Sequence, residues 1–169
     1  MKLSKKSSYG LRALIDLAVN SRTELVSLGS IAQRNDISAQ YLEHVFSALR
    51  KGHIVKSMKG SQGGYFLERD PKEITVAQIV EALEGTYDLE DEVDRNNVGR
   101  GDQEAIQHLI IDRINDCVQE ILEDVTLKDL VDTYRRCSRI KKTSRKWTSI
   151  NFMDYEMRFW KITYNWGGE

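Results

Sequence analysis

A mainly α-helical fold carrying one small β-hairpin is predicted by three observations. Apolar residues recur at intervals of three and four along most of the 169 residues. Several of these stretches open on a Ser or Thr placed to cap a helix, among them Ser27, Ser38 and Thr75. Only near residues 54–67 does the pattern change, to two short runs flanking a glycine-rich turn.

The elements follow in order. Leu11, Leu14, Ile15 and Ala18 share one face of a first amphipathic helix within residues 7–20, with Arg12 and Asp16 on another side. Ser27 caps a short helix through Leu28, Ile31 and Ala32 that ends near Asn35 and Asp36. After a tight turn Ser38 caps the next, whose apolar stripe is Tyr41, Leu42, Val45, Phe46 and Leu49, and Gly52 stops it. Two short helices meeting at such a turn form a helix-turn-helix pattern, though any antiparallel helix pair has a similar period. The next segment narrows the choice: Ile54-Val55-Lys56-Ser57-Met58, then Lys59-Gly60-Ser61-Gln62-Gly63-Gly64, then Tyr65-Phe66-Leu67. Two strands around glycines that permit positive φ make a hairpin wing, and the whole becomes a winged helix-turn-helix. The glycines could merely turn the chain, but Lys56 and Lys59 add charge where a groove or phosphate row would lie.

Thr75 and Gln78 form a capping box that opens a helix through Ile79, Val80 and Leu83, closed by Gly85. Residues 86–102 read as a long acidic loop. From Asp102 to Asp124 a long helix lines up Ile106, Ile110, Ile114, Cys117 and Ile121, with Leu109, Val118 and Leu122 beside them. That face is too wide for one small domain, so it is expected to pair with a second copy as a dimerisation helix, burial inside the monomer being the alternative. Cys117 is expected to behave as a core residue. Thr126 starts a short capped helix. The expected domains are residues 1–85 (head), 86–132 (acidic loop and dimerisation helix) and 133–169, a basic extension holding Trp147, Trp160 and Trp166. In that extension Phe152, Tyr155, Phe159 and Ile162 fit one helical face, and docking onto the domain is its expected use, with stacking on single-stranded nucleic acid as the alternative.

Charge is segregated. Residues 1–70 carry 11 Lys and Arg against 6 Asp and Glu, residues 71–132 carry 5 against 17, and residues 133–169 carry 9 against 3, within a net charge of -1. A basic head favours a polyanionic partner. The two cysteines, Cys117 and Cys137, allow neither a disulfide framework nor a four-thiolate site within one chain. No apolar run approaches the roughly 20 residues of a membrane span, and the start lacks a signal-peptide core, so a cytoplasmic location is expected. His44, His53 and His108 are the only histidines; none lies in a nucleophile or metal motif, and no phosphate-binding glycine pattern occurs. No catalytic residue, metal or other cofactor is therefore expected, and no enzyme activity.

Several ordered motifs carry a resemblance. Met1-Lys2-Leu3-Ser4 with Tyr9-Gly10-Leu11-Arg12-Ala13-Leu14, then Ile37-Ser38-Ala39-Gln40-Tyr41-Leu42-Glu43, then Phe46-Ser47-Ala48-Leu49-Arg50-Lys51-Gly52, and the wing from Val55 to Tyr65 together resemble the Rrf-two family of bacterial winged-helix regulators over residues 1 to 132. The resemblance implies a DNA-binding head joined to a long dimerisation helix, acting on double-stranded DNA as a homodimer. Many members hold an iron-sulfur cluster on three cysteines in the loop before that helix, but residues 86–102 contain neither cysteine nor histidine, so no cluster is expected. The cluster-free branch implies a repressor of cysteine and sulfur metabolism, with cysteine synthase as a partner. A winged-helix protein-interaction module acting through such an enzyme is the alternative.

On this reading Ser38 caps the recognition helix and meets a phosphate, while Gln40, Glu43 and His44 face base edges, glutamine suiting adenine and glutamate cytosine. Gln40 and His44 could equally be solvated and Glu43 locally paired. Tyr41 belongs to the core or to a phosphate contact. Lys59 borders a minor groove; Lys5, Arg50 and Lys56 position the duplex through phosphates; Tyr9, Ser57 and Gly60 complete the expected DNA surface. Ile106, Leu109, Ile110, Ile114, Cys117, Val118 and Ile121 form the expected dimer face.

Overall fold

The computed structural model describes residues 3–21, 25–60, 63–85 and 101–143, and for residues 102, 103 and 140–143 the backbone alone. Residues 1–135 form one compact unit and residues 136–169 a second. The expected acidic loop, apart from residues 101 and 102, lies outside the described residues. So does the aromatic stretch with Phe152, Tyr155, Phe159 and Ile162.

The helices begin where local chemistry allows. Ser4 caps α1 (Lys5–Asn20), Ser27 caps α2 (Leu28–Asn35) and Ser38 caps α3 (Ala39–Lys51), each side chain accepting from the backbone N–H three residues on. Asp36, between α2 and α3, takes the left-handed conformation that closes a helix (φ 55°, ψ 49°), and a short aspartate tolerates it. Thr75 and Gln78 complete a reciprocal capping box at the start of α4 (Val76–Glu84).

The core is the meeting of the apolar stripes. Leu14 and Leu17 of α1, Ile31 of α2, Leu42, Phe46 and Leu49 of α3, and Ile79 of α4 are each 0% exposed. Strands β1 (Val55–Met58) and β2 (Gly64–Leu67) pair antiparallel with Val55 opposite Leu67 and Met58 opposite Gly64. A third short rung is invisible in the sequence: Val26 and Tyr65 exchange backbone hydrogen bonds of 3.1 and 2.9 Å. Gly64 permits that approach, since a Cβ there would lie 2.8 Å from the Val26 carbonyl oxygen.

The long helix runs through α5 (Gly101–Ile106), a π-helical stretch (Gln107–Ile111) and α6 (Asp112–Asp124). Among the described residues its apolar face stands open: Leu109 is 66% and Ile110 51% exposed, and Ile106, Ile114 and Ile121 are exposed as well. Cys117, expected in the core, is exposed too, because no described residue covers the stripe it shares; Val118 is half-buried.

The last helix also differs from expectation. In place of a short turn of helix near residue 126, α7 spans Leu127–Thr143, beyond the point where its apolar periodicity ends. Leu127 and Val131 enter the core, and the antiparallel bridge between Thr75 and Thr126 fastens the start of α7 to α4.

At the other side of the head, α1 is tied to the end of α4. Ser4 and Ser7 both donate to Glu84 Oε1, Ser7 at 2.7 Å, and the Lys6 ammonium donates to the Leu83 carbonyl. The Ser4 hydrogen bond, with help from Ser7 and Lys6, outweighs burial and holds the Glu84 carboxyl below its ordinary range. A carboxyl depressed in the folded state stabilises the fold above its unfolded pKa, and that contribution is lost as pH falls through the folded value. Glu84→Gln should therefore lower stability at neutral pH by about 1 kcal/mol or less. In denaturant titrations the gap from the wild type should close as the pH drops below the ordinary carboxylate range.

Candidate nucleic-acid interface

Helix α3 separates its residues by face. Leu42, Val45, Phe46 and Leu49 are buried; Gln40, Glu43, His44, Arg50 and Lys51 are exposed on the other side. Ser38 Oγ accepts from the Tyr41 N–H at 3.2 Å, and the two basic residues of the last turn complement the negative end of the helix dipole. The exposed face is a row of polar side chains on a rigid, core-anchored helix, the arrangement that reads base edges.

Both ends of that helix are held by neighbours. At its start Tyr41 is half-buried and packs edge-on against Tyr9 of α1, ring centroids 5.7 Å apart. Lys5 lies exposed one turn before Tyr9. At its end Phe46 meets Tyr65 of β2 at 4.8 Å, and Arg50 Nη1 donates to Ser57 Oγ at 3.4 Å. The structure therefore brings Lys5 and Tyr9 beside the start of α3, and Arg50 and Ser57 beside its end. Lys59 and Gly60 stand exposed at the tip of the wing, where Gly60 takes φ 133°, open to glycine at little cost. The residues expected to form a dimer face, Ile106 to Ile121, belong to a separate helix and do not join this surface.

Other positioning residues were not singled out in the sequence. Arg34 of α2 makes a two-pronged pair with Asp16 of α1, Nε to Oδ1 at 2.9 Å and Nη2 to Oδ2 at 2.7 Å. Those hydrogen bonds raise the Arg34 pKa against the effect of burial. Arg12 lies 5.8 Å over the Tyr9 ring and donates to the Asn35 carbonyl at 2.8 Å. Together they lock α2 against α1 just before the turn into α3. The opposite charges of Asp16 and Arg34 are the only trace of this in the sequence, and their separation along the chain hides it.

The wing holds a second such feature. Lys56 Nζ and His53 Nδ1 both approach Glu68 Oε1, at 3.3 and 3.5 Å. Burial pushes the Glu68 carboxyl up, but Lys56 and His53 outweigh it and leave the carboxyl below its ordinary range. Lys56, which the sequence offers as a phosphate contact, therefore shares its charge with a carboxylate of its own chain.

A polar recognition helix gripped between a first helix and a cation-bearing hairpin defines a winged-helix DNA-binding transcription regulator. Residues 3–133 match the Rrf2 family of iron-dependent transcriptional regulators, and the chain belongs to that family. Over 130 residues, 77% of this chain and 89% of the relative, it is 39% identical to the transcriptional regulator CymR of Bacillus subtilis. It is 34% identical to IscR of Photorhabdus laumondii, with 78% and 80% covered. Among solved structures, CymR, the global cysteine regulator of B. subtilis, superposes with a TM-score of 0.67 at 38% identity over 79% of this chain and 98% of that one. The IscR of T. potens gives 0.61 at 32% identity, with 92% and 97% covered. These relatives are regulators and not enzymes.

The family description invokes iron, but the donors of this chain do not fit an iron-sulfur cluster, which ordinarily takes four protein ligands, mainly thiolates. The chain has two cysteines, Cys117 on α6 and Cys137 on α7, and His108 is paired with Asp112 at 2.8 Å. Among the described residues no three His, Cys, Asp or Glu side chains gather where they could hold a metal ion, and no helix is long and apolar enough to cross a membrane.

The Glu68 contact makes a prediction. Glu68→Gln frees Lys56 for the duplex, so binding to DNA of any sequence should tighten, and the slope of log Kd against log salt should steepen by up to about 0.9, the contribution of one phosphate contact. Lys56→Gln should do the reverse, and fluorescence anisotropy across a salt series reads both.

Proposed function

We propose that this chain is a cytoplasmic homodimeric repressor that reads an inverted repeat with the exposed face of α3. The observation that carries the reading is the placement of Gln40, Glu43 and His44 together on the outer side of a helix whose inner side is sealed into the core. Gln40 can pair with adenine and Glu43 can accept from cytosine N4, whereas Lys5, Arg50, Lys56 and Lys59 meet phosphates or the minor-groove edge. The Ser38 hydroxyl, while accepting from Tyr41, keeps its own hydrogen to donate to a phosphate. Tyr9, Tyr41, Ser57 and Gly60 shape the surface between these contacts.

Dimerisation uses the uncovered stripe of the long helix: Ile106, Leu109, Ile110, Ile114, Cys117, Val118 and Ile121. Exposed apolar rows of this kind mark association surfaces, and a two-fold pairing brings two α3 helices to successive major grooves about one turn of DNA apart. The regulator works without a cluster, as its donor set supports. Genes of cysteine and sulfur metabolism are the regulon, a reading supported by the likeness to CymR, and cysteine synthase is a partner through which the signal would arrive.

Selection of sheared genomic DNA by the purified protein at about 150 mM salt tests this. One inverted repeat upstream of cysteine or sulfur-uptake genes is the expected result, and in Glu43→Ala the preference at a single base pair of that repeat should relax by about 1 to 3 kcal/mol. Retained fragments sharing no sequence would contradict base readout by α3; a repeat upstream of other genes would contradict the sulfur assignment.

A further inference from the structure

Lys128, Val131, Asp132 and Arg135 recur at intervals of three and four along the first turns of α7 and so share one face of it. Between that face, the end of α1, strand β2 and the short turn Pro71–Glu73 lies a cleft of about 420 Å³. Small-molecule sites commonly measure roughly 300 to 1,000 Å³. Part of the lining is apolar: Val131 belongs to the core, and Ala18, Phe66 and Leu67 are half-buried.

The charged part of the lining is balanced, Asp70 and Asp132 against Lys128 and Arg135. Lys128 donates to Asp132 Oδ2, which leaves Oδ1 to Arg135 Nη1 at 3.8 Å. That is an ion pair, but too long for a hydrogen bond. Only 27% of the Arg135 side chain is exposed, so a guanidinium with five N–H donors is largely covered while it holds its carboxylate loosely. Asp70 stays below the ordinary carboxylate range chiefly because the Lys72 N–H donates to it, and Lys128 adds to the effect.

The simpler occupants fit badly. A polyanion would meet Asp70 and Asp132, a polycation would meet Lys128 and Arg135, and a wholly apolar body would strip water from all four. A molecule with one charge of each sign and an apolar body suits the whole lining. An α-amino acid carries its ammonium and carboxylate on a single carbon, so the two can enter the open Asp132–Arg135 pair together. The guanidinium fork then takes the carboxylate, and Asp132 Oδ1 takes the ammonium, with Asp70 as a further acceptor. One loose ion pair gives way to charge-assisted hydrogen bonds on both sides.

We propose that this cleft binds a free α-amino acid with an apolar side chain, its charges held by Arg135 and Asp132 and its side chain packed on Phe66 and Leu67. The site is separate from the outer face of α3 and does not depend on DNA binding by that helix. Its lining spans the wing strand β2 and α7, so an occupant braces one against the other.

Titration of the full chain with L-valine, L-leucine, L-methionine and L-phenylalanine, followed by amide chemical shifts, tests this. At least one should saturate with a Kd at or below about 1 mM and move the amides of Ala18, Ser21, Leu67 and Val131. Arg135→Gln and Asp132→Asn should each weaken that binding about tenfold while leaving the rest of the spectrum unchanged. Arg135→Lys should cost less than Arg135→Gln, because lysine keeps the charge without the fork. The N-acetyl and carboxamide derivatives of the tightest ligand, each lacking one charge, should also bind about tenfold more weakly.

Saturation by none of the four amino acids would overturn the proposal. Binding unchanged by Arg135→Gln or by Asp132→Asn would overturn it by moving the site elsewhere. Equal binding of either one-charge derivative would overturn it too, since the cleft would then not be reading both charges.

Discussion

Two backbone hydrogen bonds determine what the reading head is joined to. The Val76 N–H donates to the Val125 carbonyl and the Leu127 N–H to the Ile74 carbonyl, both at 2.8 Å, so the start of α4 is stitched to the junction of α6 and α7. Because α4 also packs against α1 and α3, the long helix is seated on the head's own core and not hung from a linker. Removing either partner would strand a backbone group, and Leu127 and Val131, which the stitch delivers into the core, would lose their place. In the proposed dimer the same stitch carries the geometry of the helix pairing into the distance between two recognition helices.

On the proposed reading, affinity and readout are divided among different residues. The outer face of α3 carries one amide, one carboxylate and one imidazole in Gln40, Glu43 and His44, groups that discriminate between bases but attract a polyanion weakly or not at all. Cations stand around it, at Lys5, Arg50, Lys56 and Lys59. Glu68 shows that even these are adjusted, since it claims part of the charge of Lys56 while the Arg34–Asp16 pair and the Arg12–Asn35 contact keep α2 in line. A surface of this kind gains specificity from the helix and its salt dependence from the rim.

What the sequence made legible was local. Ser27, Ser38, Thr75 with Gln78, and Gly52 mark helix ends because a cap depends on residues within one turn, and all of them act as caps in the fold. The two runs around the glycine turn announced the wing for the same reason. Tertiary features were hidden: the Val26 rung is one residue long, Lys56 meets Glu68 only once the β1–β2 register is set, and Arg34 finds Asp16 only when α1 and α2 cross. The apolar stripe of the long helix was readable, as was its excess over what one small domain can cover, but Cys117 looked like a core residue and is exposed on that stripe. Past Val131, α7 has no apolar period to follow, and its length came only with the structure.

In the proposed assembly the exposed stripe on α5 and α6 makes the molecule a symmetric pair, and sedimentation equilibrium of the full chain, alone and on a duplex carrying its selected repeat, measures that pairing. The account requires a dimer in the absence of DNA and two chains on each repeat. A monomer at micromolar concentration that loads one chain per site would contradict it.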